Sequence, residues 1–293
     1  MKASAARVCA QAKLNLRLRV LARETSGYHQ IETLFIRVDL ADTVTVRVHP
    51  GGGRRLDTGS ADLGLPDRNL AMRAAVAYQE ACGWPAGFHV TLDKAVPAGA
   101  GLGGGSADAG AVLRALNALA PTPVTEVELL AIGVSLGADV PFLTSEVPFA
   151  LGWGRGERLL GLTAPPARDV VIVVPPFAVS TAEAYELISP RVAAGAPSAQ
   201  LVAAGALSDW GMLVALAGND FEREVAARNP EVGRIRDALL TSGAKLAQLT
   251  GSGSAVFGVF DRAPAIDALA FRVEGMVIPT RTAERVAPVE LIE

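Results

Sequence analysis

The sequence predicts an α+β fold in two halves, and three observations lead there. Apolar and polar residues alternate over several stretches of the chain, as half-buried strands require. Apolar residues also recur at helical spacing, as at Val112, Leu113, Leu116 and Leu119. Both halves mix these patterns without a regular βαβ alternation. Pro165-Pro166 marks the expected boundary, which divides the chain into 1–164 and 165–293.

In chain order, residues 5–20 read as a strand, with Leu14, Leu16, Leu18 and Val20 on one face and Lys13, Asn15, Arg17 and Arg19 on the other. A turn at Ser26-Gly27 leads to strands near 31–38 and 43–49. A helix is expected over 69–81, a strand over 88–93, and helices up to Leu119 and over 125–136. The apolar run Val170–Val174 is a buried strand that opens the second half. Helices near 181–188, 210–217, 220–227, 231–240 and 263–273 follow, with strands at 245–249, 255–260 and 276–285. The Ala- and Gly-rich stretch 192–205 reads as a connector.

The 293 residues are 50% hydrophobic and 19% charged, which supports a packed core rather than disorder. A net charge of −3 gives no electrostatic case for nucleic acid or an anionic membrane. The first 20 residues lack a signal segment and no apolar run is long enough to span a bilayer, so a cytoplasmic protein is expected. Two cysteines, Cys9 and Cys82, suggest buried thiols rather than a disulfide or metal framework.

The richest local signal is PAGAGLGGGSAD, Pro97–Asp108, a glycine loop between a strand and a helix start. Glycines let the backbone approach a ligand closely, and a helix N-terminus offers unpaired N–H groups to an anion, so the loop is suited to phosphate. It lacks the lysine that a P-loop carries before its hydroxyl residue. Gly99, Gly101 and Gly104 formally fit a dinucleotide fingerprint, but the preceding strand alternates instead of running continuously apolar. Phosphoryl transfer also needs a group to orient or deprotonate the acceptor and positive charge at the moving group. Asp139 in LGADVPF reads either as an Asx-turn carboxylate or as that base. Lys13 reads alone as a solvated edge-strand lysine, or together with Asp139 as an ion pair that keeps the carboxylate charged.

AKLNL, GYH, RNL, PAGAGLGGGSADA, LGADVPF and TGSGSAVF occur in that order across nearly the whole chain. The set resembles the GHMP small-molecule kinases. AKLNL, SGYHQIETLF and LGADVPF narrow the resemblance to the branch that phosphorylates a cytidine-diphosphate-bearing methylerythritol in the non-mevalonate route to isoprenoids. It implies a two-domain GHMP kinase fold, with an N-terminal ribosomal S5 domain 2-like domain and a C-terminal ferredoxin-like α/β sandwich, and an active site in the cleft between them. The donor it implies is ATP, and the acceptor is the tertiary 2-hydroxyl of a small molecule carrying a cytidine diphosphate. Mg²⁺ is expected on the nucleotide, with no metal-ligating residues of the chain, and the protein is expected to be a monomer or weak homodimer.

Carried over by position, Lys13 and Asp139 match the catalytic pair. Asn69, Leu70, Lys94 and the run Pro97, Ala98, Gly99, Ala100, Gly101, Leu102, Gly103, Gly104, Gly105, Ser106 and Ala107 match the ATP site. Asn15, Tyr28, His29 and Phe35 match the pocket for the cytidine end, with Thr181 and Tyr185 contributed by the second half; Tyr28 and His29 also read as a polar turn cap after Gly27. Gly251, Ser252 and Gly253 match a third motif facing the loop. The chain departs from the family pattern at Gln11, where a proline usually precedes AKLNL, and at Trp153. Kinases of homoserine or mevalonate, or a GHMP fold turned binding module, are the alternative readings.

Overall fold

The computed structural model describes residues 3–61, 63–192, 202–270 and 272–293. In the first half the elements are β1 (Ala5–Arg23), β2 (His29–His49), β3 (Arg54–Asp57), α1 (Leu70–Cys82), β4 (Gly87–Asp93), α2 (Gly104–Leu119), α3 (Glu126–Val134), α4 (Val140–Thr144), β5 (Phe149–Gly154) and β6 (Arg158–Gly161). The second half contributes β7 (Asp169–Val174), α5 (Thr181–Val192), α6 (Trp210–Leu216), β8 (Gly218–Asn219), α7 (Glu222–Arg228), α8 (Pro230–Thr241), β9 (Leu246–Leu249), β10 (Val256–Phe260), α9 (Ile266–Ala270), β11 (Met276–Arg281) and β12 (Val289–Ile292). The connector expected over 192–205 lies mostly outside the described residues.

The first sheet has the order β12-β1-β2-β4-β3, with β5 on the N-terminal part of β2, β6 beyond β5, and β8 beside β1. The second sheet has the order β11-β7-β10-β9. Numbered within its own β-α-β-β-α-β unit, that order is 4-1-3-2 with antiparallel neighbours, the ferredoxin-like arrangement. Both β8 and β12 return to β1, so the second half closes the edge of the first sheet.

Four layers result. Helices α1 to α4 cover one face of the first sheet, burying Val8, Val44, Val46, Phe88 and Val90 against Val112, Leu113 and Leu116. Leu14, Leu16, Ile36 and Val38 pack on Val170, Ile172, Phe257 and Val259 of the second sheet. The other face of that sheet presents Val171, Val173 and Val256 to Phe221, Ile235 and Leu239. The unbroken apolar run 170–174 follows from this burial on both sides.

An irregularity in the β1–β2 pairing between Gln11 and Lys13 has wide effects. Before it, the even residues Ala6, Val8 and Ala10 face the helical layer; after it, Ala12, Leu14 and Leu16 face the second sheet. A bulge that adds residues to one strand re-aims side chains in this way. Lys13 and Asn15 are thereby turned inward, 3% and 2% exposed. Gln11 grips the segment leading to β12: its amide accepts from Ala287 N–H at 2.9 Å and donates to Arg285 C=O at 3.3 Å.

Several expectations are corrected. The two strands expected at 31–38 and 43–49 are one continuous strand, because Asp42 is not a turn residue but a fully buried carboxylate. β1 is interior to its sheet, so Lys13 is not a solvated edge lysine. Cys9 is exposed and Cys82 half-buried, not buried thiols; Cys9 points outward between the inward residues Val8 and Ala10. The last expected strand, 276–285, ends early at Arg281, and a further strand, β12, follows at Val289 beyond the expected range. Among the described residues, no helix is long and apolar enough to cross a membrane.

Gly110, in the interior of α2, offers a test of the packing. A Cβ there would lie 2.5 Å from the Leu143 carbonyl oxygen and 2.9 Å from the Thr144 nitrogen, both backbone atoms of α4 or its end. Helix propensity alone favours Gly110→Ala by about 1 kcal/mol. Overpacking against backbone costs about 1–3 kcal/mol, so the variant should melt several degrees below wild type in a thermal denaturation experiment. A raised melting temperature would contradict the close α2–α4 contact.

Candidate active site

A cleft of about 1550 Å³ runs between the glycine loop, β1, the turn before α4, the β1–β2 hairpin tip and α5. Typical small-molecule pockets are about 300–1000 Å³, so this one has room for two ligands end to end.

Its floor is the loop 97–103, which enters α2 through Gly103 in the left-handed region at φ +73°. The first N–H groups of α2 have no intrahelical acceptor and point into this end of the cleft. The loop is seated on the turn after β9. Ala255 N–H donates to Ala100 C=O at 3.1 Å, and any Cβ at Gly101 would fall 2.2 Å from the Thr250 carbonyl oxygen. A side chain at Gly103 would meet the Lys13 stem at 3.1 Å. These contacts, in addition to positive φ, require glycine there.

Lys13 is the meeting point. Its ammonium donates to Asn15 Oδ1 at 2.7 Å and to Gly101 C=O at 2.9 Å, and lies 3.4 Å from Asp139 Oδ2. Its backbone N–H donates to Leu102 C=O at 3.0 Å, so the same residue anchors the loop. Asp139 stands at the N-cap of α4, where Pro141 fixes the first turn, yet its side chain makes no capping hydrogen bond. The carboxylate is therefore not an Asx-turn group. It is 30% exposed and turned toward Lys13 and the cleft.

Asn15 ties the two halves together. Its Oδ1 also accepts from Gly251 N–H at 3.0 Å, and its Nδ2 donates to Thr33 Oγ1 at 2.8 Å. One amide hydrogen remains for a ligand. Asn219, from β8, holds the same turn by donating to the Leu249 and Gly251 carbonyls at 2.9 and 2.8 Å.

At the loop entrance, Lys94 is shared by two buried carboxylates, Asp42 Oδ2 at 2.5 Å and Asp108 Oδ2 at 2.6 Å. Asp42 also accepts from Ala95 and Val96 N–H at 2.6 and 2.7 Å, which fixes the strand-to-loop turn. Among the described residues, Asp108 Oδ1 has no partner. Burial raises the Asp108 carboxyl to about 7, opposed by Lys94 and reinforced by Asp42. Burial would lower Lys94, but the Asp108 and Asp42 charges outweigh it and raise its pKa. One ammonium is shared between two desolvated carboxylates, and burial pushes the Asp108 carboxyl upward despite it.

The far end is aromatic. His29 stacks on Tyr185 at 4.6 Å and 19°, and Tyr185 meets Phe221 edge-on at 4.8 Å. Burial, then the Asp139 charge, pushes Tyr185 up to about 12; burial, then Arg23, lowers His29. Tyr28 is 59% exposed, with the Arg155 guanidinium 3.9 Å above its ring. Thr181, one turn before Tyr185 on α5, shares a hydroxyl contact of 2.9 Å with Ser252.

Most of the sequence-derived residues thus face the cleft: Lys13, Asn15, Tyr28, His29, Asn69, Leu70, Lys94, Pro97 to Ser106, Asp139, Thr181 and Tyr185, with Gly251 and Ser252. Asn69 also caps α1, accepting from Ala71 N–H at 2.9 Å. Three do not line the cleft: Gly253, Phe35 and Ala107. Phe35 is fully buried, stacked on Phe142 at 4.9 Å behind the wall, and Ala107 is buried inside α2. Sequence reasoning missed Asp42, Asn219 and Arg155. A lone Asp in an alternating strand was the available signal for the first; the other two carry no local signal.

Comparison with known proteins agrees with this geometry. The models of the GHMP kinases N terminal domain and the GHMP kinases C terminal domain match residues 69–147 and 199–275. The chain is 39% identical over 267 residues to 4-diphosphocytidyl-2-C-methyl-D-erythritol kinase of Geobacter sp. (strain M21), covering 90% of this chain and 93% of that one. It is 40% identical over 256 residues to the kinase of the same name from Chlorobium phaeobacteroides (strain BS1), covering 87% and 88%. A crystal structure of 4-(cytidine 5'-diphospho)-2C-methyl-D-erythritol kinase superposes with TM-score 0.76 at 35% identity, over 94% of this chain and 98% of that one. Homoserine kinase from Cytophaga hutchinsonii, at 18% identity and TM-score 0.69 over 99% and 98% of the two chains, shares the fold.

The shared lysine makes a pH prediction. Asp108 is raised from 3.8 to about 7 in the folded protein, so the native state holds a proton that the unfolded chain has released. Its contribution to stability is complete below about 3.8 and lost as pH rises through about 7. Asp108→Asn should flatten the fall in melting temperature between these pH values. An unchanged slope would place the proton elsewhere.

Proposed function

We infer the reaction from family membership and geometry together: the chain belongs to the GHMP kinases, and within them to the family of 4-diphosphocytidyl-2-C-methyl-D-erythritol kinases. It transfers the γ-phosphoryl group of ATP to the 2-hydroxyl of 4-diphosphocytidyl-2-C-methyl-D-erythritol, giving the 2-phosphate and ADP. The observation that carries this reading is the Lys13–Asp139 pair, 3.4 Å apart at the end of the glycine cradle.

The triphosphate lies along the loop 97–106, where the N–H groups of the first turn of α2 meet its negative charge. Asn69, Leu70 and Lys94 border the nucleoside end of the cleft. Asp139 accepts the proton of the acceptor hydroxyl while that oxygen attacks the γ-phosphorus. The bond to the β,γ-bridging oxygen breaks and ADP departs. Lys13 keeps Asp139 ionised and offsets charge on the moving group, and its bonds to Asn15 and Gly101 hold it in line with the loop. Among the described residues, no group of three or more His, Cys, Asp or Glu is placed to hold a metal, and the two carboxylates beside the loop are committed to Lys94. That donor set fits Mg²⁺ carried on the phosphates and water, with the Ser106 hydroxyl facing it. When bound, the ion would neutralise charge on the donor phosphates.

The cytidine end of the acceptor belongs among Tyr28, His29 and Tyr185, whose rings offer stacking faces and, through imidazole, an edge to hydrogen-bond. Use of ATP supports a cytoplasmic setting. The proline-bearing connection 162–168 supports a division near 164.

The reaction is tested by ADP release with the diphosphocytidyl substrate: turnover should require it, and homoserine and mevalonate should give none. CDP should compete with the acceptor. Asp139→Asn should lower kcat by about 10²–10⁴-fold and leave ATP affinity within about threefold. Undiminished turnover would remove Asp139 as the base. Tyr185→Ala should raise the KM for the acceptor by about tenfold or more, since stacking on one base is worth about 1–3 kcal/mol, with the KM for ATP little changed.

A further inference from the structure

Arg37 is among the largest fully buried side chains, 1% exposed, and its guanidinium faces carbonyl oxygens rather than a carboxylate. It donates to Phe142 C=O at 2.8 Å, Ser145 C=O at 2.9 Å and Val147 C=O at 3.3 Å. Its carbon lies 5.1 Å from the Phe142 ring centroid, and that ring stacks on Phe35. Burial, with Arg114 adding to it, lowers Arg37 to about 9, which still leaves it charged at neutral pH. A buried cation without an anionic partner is expensive to keep.

Its position in the sheet suggests its purpose. Lys13 and Arg37 are directly opposed partners across β1 and β2. Opposed residues point to the same face, about 5 Å apart at Cβ. Helix α4 lies across that face and, at five residues, is about 7.5 Å long. Lys13 reaches the residue at its N-terminal end, Asp139, and Arg37 reaches the carbonyls of its middle residue Phe142 and of its C-cap Ser145. One cross-strand pair therefore grips both ends of the helix that carries Asp139.

We propose that Arg37 is a positioning residue for phosphoryl transfer: by holding the Phe142 and Ser145 carbonyls of α4 and its C-cap it fixes where Asp139 stands relative to Lys13 and the glycine cradle. This rests on Asp139 being the base. Displacement of a reacting group by about 1 Å costs about 100-fold in rate, so a loosened α4 should appear in kcat rather than in binding.

The test is a double-mutant cycle on the full chain: wild type, Arg37→Met, Asp139→Asn and the double variant, with kcat and both KM values measured well below each melting temperature. Arg37→Met should lower kcat by about 10–100-fold and change either KM by less than about threefold. In the Asp139→Asn background the same substitution should change the residual rate by less than about threefold, because the carboxylate it positions is gone. An equal loss in both backgrounds, or no loss of kcat in the folded single variant, overturns the proposal. Asp139→Asn with full activity would instead overturn the base assignment, which separates the two failures. If Arg37→Met does not fold, Arg37→Lys goes through the same cycle; it retains charge but not the fork of donors, and should show a smaller kcat loss with the same dependence on Asp139.

Discussion

The bulge between Gln11 and Lys13 is the constraint on which the rest of the site depends. A strand of regular pleat would carry Lys13 and Asn15 on the side away from the helical layer that Val8 and Ala10 face. The break in register turns them inward, and four consequences meet there. Lys13 reaches Asp139, its ammonium and its N–H both hold the glycine loop, Asn15 reaches the turn after β9, and Arg37 is set opposite Lys13. Each needs side chains on the helix-facing side at this depth of β1. Gln11, at the edge of the bulge, holds the irregular stretch by two bonds to the segment entering β12.

Placing cations in the core has a cost that the structure offsets locally. Lys13 is 3% exposed, and its three donors have three acceptors: an amide oxygen, a carbonyl and a carboxylate. The carboxylate is partly exposed to the cleft. Lys94 is handled differently. It is locked between Asp42 and Asp108, and its charge serves the geometry of the loop entrance as much as any nucleotide. Similar residues thus take different tasks according to whether an acceptor faces the cleft or the core.

The parts of the molecule legible in the sequence were those governed by local chemistry. The glycine loop needs its φ values and its close approach to Thr250, and glycine is the residue that permits both, so its position was plain. Helices with caps, such as α1 after Asn69 and α3 with its Thr125–Glu128 capping box, were found within a residue or two. What was not legible depended on partners distant in sequence. The role of Asp42 is invisible locally because its donors, Ala95 and Val96, lie some 50 positions away. Helix α4 was read as a turn, since five residues after Gly-Ala-Asp carry too little periodicity to register. Phe35 was placed against the substrate by analogy of position, whereas the packing of Phe142 covers it.

The two halves meet at the chemistry rather than beside it. The first supplies the cradle, the lysine and the carboxylate; the second supplies the Thr250–Ser252 turn on which the cradle rests. Catalysis by positioning requires the donor phosphate and the base to share one rigid frame, because errors near 1 Å are costly. Here the frame is continuous: α4 is held to β1 and β2 by Lys13 and Arg37, the loop is held to β1 by Lys13, and β1 is held to the second half by Asn15 and Asn219. The return of β8 and β12 to β1 adds backbone pairing to the same strand. One strand of the first sheet thus holds the glycine loop, the Asp139 carboxylate and the second half in fixed relation.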